Sequence, residues 1–218
     1  MKKLTTPESG SLAGQTASRN RFGQYTRTRA IPVNPNSAAQ GTVRARLACN
    51  SAAWRALTSA QRAGWADLGL SLVRTDSLGQ SYNLQGNQAY ASVNNVRLAQ
   101  GLIPVSDAPA VATPVALQTV TPTIGVAAFS IAYTATPLGA ATYLFIYASP
   151  QRSAGRNYES DFRLIKVSAA AQASPLVALT EYTAKFGVPV VGNKIFLRLV
   201  TSTLGFESGA FNTSAIVA

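Results

Sequence analysis

The sequence predicts a multidomain α + β protein with an extended basic N-terminal arm, a small three-helix domain and a C-terminal antiparallel β-sandwich. Three observations support this fold class. The first 36 residues lack helical or alternating periodicity, the next stretch has apolar residues at three-and-four spacing, and the final part alternates with period two. We therefore place the arm at residues 1–36, the helices at 37–103, a Pro-rich linker at 104–114 and the sandwich at 115–218.

The composition limits the classes of protein to which the chain can belong. Its 218 residues are 47% hydrophobic and 12% charged, which is sufficient apolar material for packed cores. The basic start of the chain is followed, over residues 5–15, by Pro, Glu, Ser and Gly instead of the apolar core of a signal peptide. The longest apolar run, residues 141–148, is too short to span a membrane. We therefore expect synthesis in the cytoplasm and no membrane segment.

The residue types present give little support to catalysis or metal binding. The chain has no histidine and its only cysteine is Cys49, which excludes Ser-His and Cys-His triads, an internal disulfide and a Cys/His zinc site. Glu159 and Asp161 are the only acidic residues close in sequence, and Arg156 and Arg163 beside them favour solvated ion pairs over a catalytic dyad. No phosphate-binding G-x-x-x-x-G-K-[ST] loop occurs. We predict that the protein is not an enzyme and has no catalytic residue, cofactor or metal site.

Positive charge is concentrated in the front half of the chain. Residues 1–103 carry twelve Lys and Arg against three acidic residues, a net charge of +9, whereas residues 104–218 carry seven against five, a net charge of +2. Arginines interleaved with aromatic rings suit forked contacts with acidic groups of a neighbouring protein, or phosphate neutralisation with stacking on bases. A merely solvated tail is the third interpretation. The candidate partner-binding residues are Arg19, Arg21, Phe22, Tyr25, Arg27, Arg29, Arg44 and Arg46.

Three helices are predicted in the middle domain. The first begins after Ser37, a suitable N-cap, and aligns Val43, Leu47 and Trp54 on one face. The second begins at a capping box, residues 58–61, and ends by residue 69. A short hairpin precedes the third helix, residues 87–100. The expected core of the domain consists of Trp54, Leu57, Trp65, Tyr90 and Val93.

Alternating apolar residues predict the C-terminal strands. The linker is expected to be a semi-rigid spacer because of its proline content. About seven short strands after it predict an antiparallel β-sandwich. Residues 179–187 and 205–208 resemble the segments before strands in fibronectin type III and related immunoglobulin-like domains. The clearest strand candidates are residues 126–133, 141–147, 162–168, 176–180 and 194–202.

Three tyrosines of this part have rings that could stack on sugars. They are Tyr143, Tyr147 and Tyr158. Tyr143 and Tyr147 fall in a predicted strand, so we expect these two to pack within the sheet. Tyr158 lies outside the predicted strands, and its role stays open at this point.

Four segments resemble one protein family in the order and spacing of Arg, Asn-Pro and Trp. They are residues 14–25 (GQTASRNRFGQY), 27–35 (RTRAIPVNP), 54–65 (WRALTSAQRAGW) and 82–90 (YNLQGNQAY). Over roughly residues 9–103 the chain resembles a family of uncharacterised structural proteins encoded by tailed bacteriophages and prophages. The resemblance implies a virion component, such as a capsid decoration or minor capsid protein, a connector protein or a tail protein. The expected partners are capsid, portal or tail subunits and further copies of the chain in a symmetric assembly.

A second resemblance supports a different class of function. The pattern L-T-x-x-Q-R-x-x-W at residues 57–65 is similar to the HMG box, another three-helix unit with a basic arm. It implies a DNA-binding or packaging-associated protein whose arginines contact phosphates. Against it, the predicted helical domain has few exposed lysines and no identifiable apolar wedge.

Overall fold

The computed structural model describes residues 8–76, 78–134 and 136–218. These residues form an α + β protein with four helices and with antiparallel strands in four sheets. The predicted α + β class is therefore confirmed. The described residues contain four helices instead of the three predicted, because a further helix lies at Leu179–Phe186. The chain divides into two compact units, Met1–Thr42 and Val43–Ala218.

The first unit contains a small antiparallel sheet where we predicted an extended arm. Its strands pair in the order β1-β2-β3, with Gln15 opposite Thr28 at one end of the β2–β3 ladder and Asn20 opposite Gly23 at the other. The prediction of an arm without regular structure is wrong for residues 10–28. Backbone pairing needs no apolar face, so the polar side chains of this segment give no hydropathy signal for it. The strands are β1 (Gly10–Leu12), β2 (Gln15–Asn20) and β3 (Gly23–Thr28).

The first two helices begin with reciprocal side-chain caps. At the start of α1, the Ser37 hydroxyl accepts a hydrogen bond from the backbone N–H of Gln40 at 3.4 Å. In return, the side-chain oxygen of Gln40 accepts one from the backbone N–H of Ser37 at 3.1 Å. Thr58 and Gln61 make the same pair of bonds at the start of α2, at 3.2 and 3.0 Å. Both predicted caps are therefore confirmed. The helices are α1 (Ala38–Ala56), α2 (Ser59–Ser71), α3 (Gly86–Ala99) and α4 (Leu179–Phe186).

Helices α2 and α3 approach closely, and a hydrophobic core lies beside their contact. A Cβ atom at Gly69 would overlap the carbonyl oxygen of Leu84, and one at Gly86 would lie 3.1 Å from the Cα of Ala66. Glycine at both positions therefore lets the two backbones meet. The predicted core residues are confirmed, with Trp54 half-buried at the margin. The buried members of this core are Leu57, Trp65, Leu68, Ala89, Tyr90, Val93 and Phe206.

The Pro-rich segment lies against α2 and α3 instead of standing free as a spacer. The buried Asn94 side chain bonds both the N–H and the C=O of Val105, at 2.9 and 3.1 Å. The indole N–H of Trp65 donates to the carbonyl of Ser106 at 2.7 Å. These bonds satisfy the backbone of the segment and fix its course over the helices.

The remaining strands form a hairpin and two larger sheets. The hairpin joins β4 and β5. One sheet has the order β10-β8-β12-β13, with β14 and β9 also paired to β12, and the other has the order β11-β7-β6. The strands are β4 (Val73–Thr75), β5 (Ser81–Asn83), β6 (Thr119–Ile124), β7 (Phe129–Thr134), β8 (Thr142–Ala148), β9 (Arg152–Ser153), β10 (Arg163–Val167), β11 (Leu176–Val177), β12 (Asn193–Thr203), β13 (Phe206–Glu207) and β14 (Phe211–Ile216).

Side chains of the two larger sheets share one hydrophobic core, which includes Phe129 of β7 and Leu197 of β12. Helix α4 adds Tyr182 to this core, where its ring stacks on Phe129 with centroids 5.1 Å apart. The predicted strand over residues 176–180 is too long, because β11 ends at Val177 and α4 follows. The three-and-four spacing of the apolar residues in 179–186 explains the helix.

Candidate partner-binding surfaces

The sheet of the first unit has almost no interior. Within strands β1 to β3 the only buried side chain is that of Gln24, and its amide donates to the backbone carbonyl of Glu8 at 3.1 Å. Leu12 and Phe22 are exposed. A small sheet that buries so little apolar surface is marginally stable by itself. It therefore gains stability when another surface covers it.

The strand register distributes the predicted arginines over both faces of this sheet. Arg19 lies opposite Gln24, and Arg27 lies opposite Thr16. Since successive side chains on a strand point to opposite faces, Arg19 lies on one face and Arg27 lies with Tyr25 on the other. The arginines predicted as one group therefore do not form one continuous basic face.

The other two predicted arginines of the sheet lie at its turn and its end. Arg21 follows β2, and its guanidinium carbon lies 4.5 Å from the centroid of the Phe22 ring. Arg29 follows β3, and its N–H donates to the carbonyl of Gly14 at 2.8 Å. At the β2–β3 turn the charged Arg21 side chain therefore lies over the exposed Phe22 ring. The arginine is suited to contact an acidic group of a partner, and the ring is suited to contact an apolar group.

The last two predicted residues, Arg44 and Arg46, lie on α1 in the second unit. Residues two apart on a helix do not share a face, so these two side chains point in different directions. Arg44 is exposed and Arg46 is half-buried. The structure therefore does not bring Arg44 and Arg46 together as a pair.

Sequence reasoning missed the exposed apolar side chains on the first half of α1. Val43 and Leu47 were predicted on one face with Trp54, and they are 62% and 52% exposed. They lie one turn apart and so form an apolar pair on one face. Only the second half of the helix packs on the core, where the Trp54 ring lies 5.5 Å from that of Tyr90. Helical spacing of apolar residues predicts which face of a helix is apolar. It does not show whether that face is covered by the same chain or by a partner.

A groove between α1 and α3 continues this apolar pair. It encloses about 330 Å³ and is lined by Leu47 and Trp54 on one side and Tyr90 on the other. At its wall the amide of Asn50 donates to Asn95 at 2.8 Å, but the buried Oδ1 atom of Asn50 has no partner among the described residues. A buried acceptor without a donor costs about 1–3 kcal/mol.

Glu159 is buried, so the prediction of two solvated ion pairs is wrong for this residue. Its carboxylate accepts the N–H groups of Asp161 and Ser160 at 3.0 and 2.9 Å and pairs with Arg152 and Arg156. The Asp161 N–H, followed by the Arg152 hydrogen bond, lowers the pKa of Glu159 to about 2. A carboxylate that stays ionised at neutral pH and is enclosed by its own donors has a structural role, which is to fix the loop between β9 and β10.

Among residues 8–76, 78–134 and 136–218, no three His, Cys, Asp or Glu side chains come close enough to hold a metal ion. Within the same ranges, no helix combines the length and the apolar character that crossing a bilayer requires. No protein-family model matches the chain, and comparison with curated proteins gives no significant match.

Proposed function

We propose that this protein is a non-enzymatic structural component of a bacteriophage particle that attaches to neighbouring virion subunits through its N-terminal region and α1. The observation that carries the proposal is the sheet β1–β3, which is basic and has a single buried side chain. Such a sheet is suited to being completed by another molecule. Capsid, portal or tail subunits, and further copies of the chain in a symmetric assembly, are the proposed partners.

The outer edges of this sheet supply one way to bind. Within the described residues, β1 and β3 each pair only with β2, so each leaves one row of backbone N–H and C=O groups without a strand partner. An edge of this kind accepts a strand from a neighbouring subunit, and backbone hydrogen bonds then supply affinity. The arginine side chains add forked contacts with carboxylates of the neighbour.

A second binding surface is proposed on α1, in the second unit. Its exposed pair, Val43 and Leu47, adjoins the groove lined by Leu47, Trp54 and Tyr90. A partner that presents an apolar side chain suits both features. Removal of these apolar side chains from water would supply binding energy at this surface.

We further propose that the C-terminal region is a displayed β-sandwich of the immunoglobulin and fibronectin type III kind. The strand order supports this proposal: β6, β7 and β11 correspond to the A-B-E side of such a domain. On the other side, β10, β8, β12 and β14 correspond to C′-C-F-G. A fold of this kind does not by itself define a function. If the N-terminal region and α1 attach the protein to the particle, the β-sandwich is the part that is displayed.

Particle incorporation tests the α1 surface most sharply. Replacing both Val43 and Leu47 by Asp should abolish incorporation, because charged groups cannot enter an apolar interface. The matched control is Leu78→Asp, since Leu78 is 82% exposed in the turn between β4 and β5. Normal incorporation of the double variant, in a protein that remains folded by circular dichroism, would contradict the proposed surface.

A DNA-binding or packaging-associated role is the second candidate function. The net charge of +9 over residues 1–103 favours it, whereas the position of Arg19 and Arg27 on opposite faces disfavours a flat phosphate-binding surface. Gel shifts at several salt concentrations decide between the two. Phosphate binding predicts an affinity that falls steeply with salt and is lost on deletion of residues 1–31. Absence of any shift at low salt would remove the DNA-binding candidate, whereas assembly predicts that the same deletion prevents incorporation.

A further inference from the structure

A hollow lies on the face of β12 that points away from the hydrophobic core. Along β12, Ile195, Leu197 and Leu199 enter the core shared by the two larger sheets, so Phe196 and Arg198 point to the opposite face. There they line a hollow of about 330 Å³, a volume within the range of ligand-binding sites. The loop between β9 and β10 and strand β14 supply the rest of the lining.

Arg198 in this hollow is oriented but retains free donors. Its Nε atom donates to Oδ1 of Asn212 at 3.1 Å, and its guanidinium carbon lies 5.0 Å from the centroid of the Phe162 ring. Its two terminal nitrogens donate to no other described residue. A guanidinium held in one orientation with free terminal N–H groups presents the fork that a carboxylate accepts.

The loop that forms one wall is held rigidly by buried Glu159. In addition, the Nε atom of Arg156 donates to the carbonyl of Tyr158 at 2.7 Å, and the ammonium of Lys194 donates to the carbonyl of Arg156 at 3.0 Å. Tyr158 nevertheless remains 74% exposed. An exposed aromatic side chain on a fixed loop is available for stacking.

Positive charge collects around the hollow. The cations at its rim or next to its lining residues are Arg152, Arg156, Arg163, Lys194 and Arg198, and the acidic residues counted in the same way are Glu159 and Asp161, so five positive charges against two give +3. The whole of residues 104–218 carries only +2. The local field therefore favours an anionic ligand.

We propose that this hollow binds a carboxylated sugar, with its carboxylate on the terminal nitrogens of Arg198 and its ring against Tyr158. The side chains of Asn157, Asn212 and Thr213, which also line the hollow, supply hydrogen-bonding groups for the sugar hydroxyls. The site is built from the C-terminal sheets and the loop between β9 and β10, and it does not depend on the proposed assembly role.

Saturation-transfer NMR on the full-length protein tests the site, with glucuronate and N-acetylneuraminate as probes and with glucose and acetate as comparison ligands. We expect transfer to the ring protons of both acidic sugars and little to glucose or acetate. Arg198→Gln should raise the dissociation constant about tenfold or more, as expected for loss of charged hydrogen bonds. Tyr158→Ala, a change at an exposed position, should weaken binding without unfolding the protein.

The matched control is Arg74→Gln, which removes the same charge from the exposed hairpin strand β4 and should leave sugar binding unchanged. Absence of transfer to either acidic sugar would overturn the proposal, as would binding that Arg198→Gln leaves intact. Equal binding of glucose would show that the carboxylate is not recognised. Equal binding of acetate would show that the sugar ring is not recognised, and each of these results would also overturn the proposal.

Discussion

Buried Glu159 shows how a single charge can fix a loop. Burial of a carboxylate is unfavourable unless donors replace the lost water, and here two backbone N–H groups and two arginines do so. The folded protein therefore favours the ionised form, and the pKa of Glu159 falls from 4.5 to about 2. The loop that carries Tyr158 depends on this ion.

The lowered pKa of Glu159 predicts a specific dependence of stability on pH. The unfolded chain binds the proton more tightly, so the stabilisation is complete above about pH 4.5 and is lost as the pH falls towards 2. At pH 7, Glu159→Gln should lower the free energy of unfolding by about 1–3 kcal/mol, and the difference should shrink below pH 4.5. Urea denaturation at a series of pH values measures this difference.

Asp161→Asn is the control for this series, because the Asp161–Arg163 ion pair is exposed. Exposed pairs contribute little to stability, so the control should differ from the parent protein by less than about 1 kcal/mol at every pH. A Glu159→Gln variant that behaves like the control at pH 7 would show that the buried carboxylate does not hold the loop.

At the scale of secondary-structure elements, the effect of an added methyl group differs between two glycines of α2. Gly69 is buried on α2 and faces the carbonyl of Leu84, just before α3. Gly64 on the same helix has only Ala108 nearby, at 3.8 Å from an added Cβ. The same substitution at these two positions therefore has opposite expected effects.

Gly69→Ala should destabilise the protein by about 1–3 kcal/mol or more, because the new methyl group forces the two backbones apart. Gly64→Ala should be neutral or stabilising by up to about 1 kcal/mol, since alanine is the better helix former and the contact at 3.8 Å is an ordinary one. Thermal or urea unfolding of the two variants measures both effects. Equal effects of the two substitutions would show that the α2–α3 contact is less close than described.

Features that depend on residues close in sequence could be predicted, whereas features that depend on contacts with other parts of the fold could not. The capping box of Thr58 and Gln61 is local chemistry and was correctly predicted. The sheet β1–β3 has polar side chains on both faces, so its pairing leaves no hydropathy pattern. The apolar pair on α1 was recognised, but its exposure depends on which elements lie nearby. Burial of Glu159 likewise depends on Arg152, seven residues away.

At the scale of the whole molecule, the two compact units contrast in how they are stabilised. Residues Val43–Ala218 contain both hydrophobic cores, whereas Met1–Thr42 include a sheet held mainly by backbone pairing. Backbone pairing without burial contributes little net stability in water. The proposed attachment to neighbouring subunits would supply the burial that the first unit lacks.

Amide hydrogen exchange, measured on the isolated protein and on assembled particles, tests this account most directly. In the isolated protein, residues 10–28 should exchange rapidly while Asn193–Thr203 exchange slowly, because only the latter belong to a packed core. In particles, exchange of residues 10–28 should slow by about a hundredfold or more, as expected for a segment stabilised by binding. The account would be contradicted if residues 10–28 exchanged as slowly as Asn193–Thr203 in the isolated protein and showed no further change in particles.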